Sequence, residues 1–170
     1  MILVYFKEGS ENREIVENIL KDRNETFKEV GDNHLDLTVA QVFSSEEKSQ
    51  SNREFEDFLF LDTMQPEQIQ AFSKALKDQN VQIGRVALRT ENNISWKLRT
   101  LMEEVDQEFQ YFLIRDQLYQ MVTHPDKGRL DNDPAYLRLM STVYALIEDT
   151  NTSIEDLKKA LQILTSFTEK

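Results

Sequence analysis

The stretch THPDKGRLDNDPAYL sets the imidazole of His124 beside Pro125 and the carboxylate of Asp126. Histidine titrates near neutrality and can exchange a proton, and a neighbouring carboxylate can orient it. Here a proline separates the two groups, and polar residues surround them between two apolar, helically spaced segments. His124, Pro125 and Asp126 therefore read as a candidate interaction loop rather than a catalytic pair. The other histidine, His34 in GDNHLD, lies between Asp32 and Asp36, and DKGRLDND offers Asp126, Asp131, Asn132 and Asp133. A calcium loop needs oxygen ligands at alternate positions and a closing glutamate. Neither stretch has that spacing, and both read as turns. KEGSENRE has the placement of a phosphate cradle at a helix N-terminus. It holds one glycine, however, and Glu8 and Glu11 repel anions.

The chain has no cysteine, so thiol nucleophiles, zinc–thiolate sites and disulfides are excluded. Two histidines far apart give a Ser–His scheme little support. A carboxylate-based enzyme is the remaining catalytic alternative, although Glu103 and Glu104 are adjacent and would leave a helix in different directions. No catalytic, cofactor-binding or metal-ligating residue is assigned. The 170 residues carry 20 Lys+Arg against 31 Asp+Glu, a net charge of −11, with both halves acidic. Phosphate backbones require clustered positive charge, so nucleic acid and anionic membranes are poor partners. No apolar run approaches the ~20 residues of a membrane span. The opening MILVYFKEGS lacks a basic leader and reads as a strand, which predicts a cytoplasmic protein. The length suits one domain, or one with an extension, able to bury roughly 70% of its unfolded surface.

The elements follow from periodicity. MILVYF and DFLFLD are short apolar runs suited to strands buried on both faces. Ser10 can cap a helix bearing Ile15, Val16, Ile19 and Leu20 at helical spacing. ETFKEVG supplies a second strand stopped by Gly31, and LTVAQVF a short helix capped by Thr38. SSEEKSQSNREFE reads as a flexible polar loop. Pro66 opens a helix with Ile69, Phe72 and Leu76 inward, and VQIGRVALRT gives a fourth strand expected to be buried on both faces. From Ser95 the pattern is helical for about 28 residues, roughly 42 Å, along Leu98, Leu101, Met102, Val105, Phe109 and Phe112. Two more helices follow. One starts at Asp133-Pro134, with Leu137, Met140, Val143, Tyr144 and Ile147 inward. The other follows Thr152 and Glu155, with Ile154, Leu157, Leu161, Leu164 and Phe167 inward. No repeat at solenoid periods is visible.

Strand and helix alternate, which predicts an α/β fold: a four-stranded, mostly parallel sheet with covering helices, in the order 2-1-3-4, plus a C-terminal helical extension. A ferredoxin-like sheet is the alternative. The α/β domain is placed at 1–108. The extension, 109–170, is expected to form a three-helix bundle with the end of the long helix, closed or paired with a second copy as a homodimer.

Three segments resemble a family of small bacterial proteins carrying a domain of unknown function: MILVYF, FLFLDTMQPEQIQAFSKALKDQNVQIGRVALRT and NNISWKLRTLMEEV. The family shows a Thr-Pro-Thr-Asn turn and then a tryptophan opening a helix. Thr90, Asn93, Trp96, Leu98, Leu101, Glu103 and Glu104 match it, while Glu91 and Asn92 replace the proline and second threonine. The resemblance implies no activity. Asn93 and Trp96 are the candidate structural anchor, with Trp96, the only tryptophan, expected to pack inside.

His124-Pro125-Asp126 is similar to the loop of J-domain co-chaperones, and Leu137, Met140, Val143-Tyr144 and Ile147 match the downstream helix of such domains. The upstream helix departs from them. Its inward Ala-Tyr pair falls on Arg115 and Asp116, and Gln110 to Thr123 hold one Arg and one Asp where J-domains are strongly basic. An ordinary helix–helix loop is the reading that follows. The expected function is a non-enzymatic protein–protein interaction or regulatory module, its partner a protein, with a J-domain-like co-chaperone as an alternative.

Overall fold

The computed structural model describes residues 1–168, and the chain divides after Asp106 into two compact units. The first holds a four-stranded sheet of β1 (Ile2–Tyr5), β2 (Phe27–Glu29), β3 (Phe58–Leu61) and β4 (Val86–Leu88), in the spatial order β2-β1-β3-β4. The order is the one expected, and the sheet is mixed but mostly parallel, as expected. β1 with β2 and β3 with β4 are parallel, whereas the central pair β1 and β3 is antiparallel, with Leu3 opposite Phe60. The ferredoxin-like alternative does not form.

Two layers cover the sheet. α1 (Asn12–Asp22) and α3 (Pro66–Asp78) pack Val16, Leu20, Phe72 and Leu76 on one face, against Ile2, Val4, Leu59 and Leu61. On the other face lie α2 (Val39–Ser44) and the first turns of α4 (Leu98–Thr123), where Val39, Val42, Leu98 and Leu101 meet Leu3, Tyr5, Phe58 and Phe60. β1 and β3 are buried on both faces, which is why their sequences are unbroken apolar runs. β4 departs from expectation. Ala87 is buried, but Val86 and Leu88 are exposed, because β4 is an edge strand left uncovered on the face of α1 and α3.

Local signals set the element ends. Thr38 caps α2 by accepting from Gln41 N, while the Gln41 side chain accepts from Thr38 N. Pro66 occupies the first turn of α3, where no N–H partner is needed. Ser10 acts one residue earlier than a regular cap, accepting from Asn12 N and donating to Asp57.

The polar segment between α2 and β3 has no helix or strand, yet it is a strap fastened to the unit rather than a loose loop. Asn52 is buried and donates to Val30 O, and Glu8 N donates to Asn52 O. The strap passes so close to Gly31 that a Cβ there would meet Ser49 Oγ and Ser51 O at 2.5 Å.

The second unit packs the remainder of α4 with α5 (Lys127–Asn132), α6 (Pro134–Glu148) and α7 (Ile154–Thr168). α5 is an element that periodicity did not foresee. The unit's core is Ile114, Leu118, Tyr136, Met140, Val143, Ile147, Leu157, Ala160 and Leu164. On α6 the inward stripe therefore starts at Tyr136, and Leu137 and Tyr144, expected inside, are each 48% exposed. Phe112 is likewise exposed.

Candidate functional site

His124, Pro125 and Asp126 lie where α4 gives way to α5. The exposed His124 ring turns back on its own helix, with Nδ1 3.2 Å from Gln120 O and 3.1 Å from Thr123 Oγ1. The Asp126 carboxylate accepts from Arg129 N at 3.1 Å and so caps α5. Asp126 N donates to the Tyr136 hydroxyl at 3.2 Å. The aspartate is thus explained by a helix cap, and the three residues form a tight turn that presents one imidazole to solvent. Behind it, Arg129 stacks on Tyr136 and Phe167, with centroid distances of 4.6 and 5.0 Å, and donates to Phe167 O and Asp133. Asp133 in turn accepts from Ala135 N and Tyr136 N, which caps α6 and holds its carboxyl below the ordinary carboxylate value.

The second acidic stretch is also occupied by structural work. His34 is fully buried; its Nδ1 accepts from Gly31 N at 3.1 Å and its Nε2 lies 3.2 Å from Glu47 O. Asp32 accepts from the Tyr5 hydroxyl at 2.5 Å, from Ser51 Oγ and from Arg53 N. Asp36 is exposed on the surface. Among the described residues no group of three or more histidines and carboxylates is disposed to hold a metal.

The Tyr5–Asp32 pair is the most perturbed titratable site, and sequence reasoning missed it because its members come from β1 and the turn after β2. Burial, and then the bond to Asp32, push the Tyr5 hydroxyl well above the ordinary phenol value. Burial would raise Asp32, but the bonds from Tyr5, Arg53 N and Ser51 outweigh it and hold its carboxyl below the ordinary value. The Tyr5 oxygen also accepts from Glu54 N and Phe55 N. A hydroxyl so committed, neutral and with its lone pairs filled, is a pin that fastens the strap; it has no free electron pair for a substrate.

A polar cleft of about 240 Å³ opens beside the strap, lined by Arg13, Arg53, Glu8 and Glu29 among others. Each cation faces a carboxylate: Arg13 pairs with Glu29 at 2.8 Å and Arg53 with Glu8 at 2.5 Å. The cleft is electrostatically satisfied and offers an anion no unpaired charge.

Asn93 and Trp96, the candidate structural anchor, are placed differently. Asn93 is buried; its Oδ1 accepts from Thr90 N at 2.9 Å and its Nδ2 donates to Leu88 O at 2.8 Å. Trp96 is 40% exposed, contrary to the inward packing expected. Its carbonyl accepts from Val39 N at 2.9 Å.

The remaining feature with chemical consequence is apolar. Phe112, Leu113 and Tyr119 on α4, Leu137 and Tyr144 on α6, and Ile163 on α7 are each more than 40% exposed, all in the helical unit. The class the fold defines is thus an α/β unit followed by a helical unit with apolar side chains in solvent. Residues 57–112 match the family model "Domain of unknown function (DUF3783)". The match runs from the start of β3 into α4, in agreement with two of the three resembling segments, and does not include the opening strand. No curated protein and no solved structure matches the chain.

Proposed function

We propose that the protein is a non-enzymatic, cytoplasmic protein–protein interaction module that docks a partner through its helical unit. The observation that carries this reading is the placement of Leu137 and Tyr144 one stripe away from the core face of α6, two turns apart and each half exposed. Large apolar groups at that spacing suit a helix or strand laid along α6. The net charge of −11 favours a partner whose apolar strip is flanked by basic side chains. Cytoplasmic placement is supported by the absence of cysteine and by the lack, among the described residues, of any helix long and apolar enough to cross a membrane.

The test is a photo-crosslinking amino acid placed at Tyr144 in cells that express the protein, with a control at the exposed Glu155. One discrete adduct from position 144, lost when Leu137→Asp is added, is the expected result. If Tyr144 and Glu155 give the same pattern, the α6 surface is not a docking face and the reading fails. Sedimentation of the purified chain distinguishes a second copy from a different partner.

A further inference from the structure

The α/β unit is built twice. β1, α1, β2, a 3-10 turn at Asp32–His34 and α2 are followed by β3, α3, β4, a 3-10 turn at Asn93–Ser95 and α4, the same elements in the same order. The correspondence extends to single residues. α1 ends in Leu20-Lys21-Asp22-Arg23-Asn24 and α3 in Leu76-Lys77-Asp78-Gln79-Asn80, which differ at one position. Both asparagines take the left-handed conformation, with φ of 55° and 58°. Each closing turn is sealed by the same bond, Glu25 N to Leu20 O and Val81 N to Leu76 O, both 2.9 Å. The strand entries agree as well, with Ile2 N donating to Thr26 O and Leu59 N to Arg85 O.

The buried polar residues correspond too. His34 accepts from Gly31 N, and Asn93, its counterpart, accepts from Thr90 N. A glycine stands in the first copy because the strap presses on it, whereas the second copy has no strap and holds a threonine.

The same correspondence pairs Leu3 with Phe60 and Thr38 with Lys97. Leu3 lies opposite Phe60 in the central strand pair, and Thr38 bridges Lys97 above it. Val39 N donates to Trp96 O and Leu98 N to Leu37 O, both 2.9 Å, a reciprocal exchange between counterparts. A residue that faces its own counterpart lies on a two-fold axis. Two such points, one in the sheet and one in the layer over it, define an axis normal to the sheet.

We propose that residues 2–43 are a second, divergent copy of the domain matched at 57–112, and that the edge of β3 that pairs with β1, together with the bridge at Lys97, is an interaction surface whose fitting partner is another copy of the same domain. In this chain the partner is supplied in cis, as a tandem pseudo-dimer. One copy alone has two strands with an unpaired apolar edge, too little to bury its own core. The inference is independent of the docking role of the helical unit.

The test exchanges equivalent segments in the full chain. In one variant, residues 24–42 are replaced by a copy of 80–101, which begins and ends at counterparts and keeps the glycine and aspartate of positions 31 and 32 on which the strap rests. A control carries 82–103 at the same place, out of correspondence, with glycine and aspartate at the same two places. The in-register chain should unfold cooperatively as a monomer while the shifted chain does not. A shifted chain as stable as the in-register one would overturn the proposal. If neither folds, the counterpart substitution decides. His34→Asn should keep a higher Tm than His34→Ala by at least about 3 °C, and equal losses would overturn the correspondence.

Discussion

Phe60 and Tyr136 are both buried aromatic residues at the centre of a core, but the units around them are made differently. Phe60 sits in a strand whose two faces are each covered by a helical layer, and a strap between α2 and β3 is pinned down by Tyr5, Asp32 and Asn52. Tyr136 sits in a small bundle whose core is one stripe per helix, and a single arginine stacked on two rings fastens its end. The first unit spends its polar side chains on holding backbone in place. The second leaves large apolar side chains in solvent.

The largest expected effect tests where stability resides. Phe60→Ala should remove about 3–5 kcal/mol, the usual cost of truncating a buried phenylalanine, read by urea unfolding. A loss under about 1 kcal/mol would show that the sheet is not the stable core of its unit. Tyr5→Phe should cost about 1–2 kcal/mol, since it removes a bond to a carboxylate and leaves two backbone N–H groups without their acceptor.

The Tyr5→Phe variant also has a pH signature. The folded-state value of Asp32 lies below its ordinary value of 3.8, so its contribution is present above that pH and is lost as the pH falls through the folded value. Without Tyr5 the shift shrinks, and the stability of the variant should fall less steeply below about pH 4 than that of the parent chain. Parallel acid profiles would remove Tyr5 as a cause.

In the helical unit, Arg129→Ala should cost about 1 kcal/mol through lost stacking on Tyr136 and Phe167 and a weakened α6 cap, detected as a lower Tm. The smallest change is His124→Gln, expected within about 0.5 kcal/mol of the parent because the ring is exposed and touches only its own helix turn. Loss of a heat-shock chaperone's ATPase stimulation in that variant would restore the co-chaperone alternative.

Much of the architecture is legible in the sequence. The unbroken apolar runs at β1 and β3 announced strands buried on both faces. Thr38 and Pro66 marked helix starts, and right-handed crossovers led to the strand order. Misreadings fell where neighbours far apart in sequence decide. Trp96 was expected inside from its size, but the turn at Asn93 directs only its backbone into the bridge with α2. Val86 and Leu88 read as core because an apolar triplet does not reveal that its strand lies at an edge. The strap read as loose because its partners, Tyr5, Val30 and Asp32, lie on other elements.

The sequence by itself determined the apolar runs of β1 and β3, the helix starts at Thr38 and Pro66, the absence of thiol chemistry and the acidic balance, all local or compositional properties, whereas the capping box expected of Thr152 and Glu155 is formed one residue later by Ser153 and Asp156. Only the tertiary structure decided that Asp126 caps α5, that the arginines of the cleft are neutralised by Glu8 and Glu29, and that β1 runs antiparallel to β3. Burial and charge pairing are properties of three-dimensional neighbours. So is the two-fold correspondence of the α/β unit: side chains have diverged between the copies, while the backbone turns and the hydrogen bonds they require remain the same.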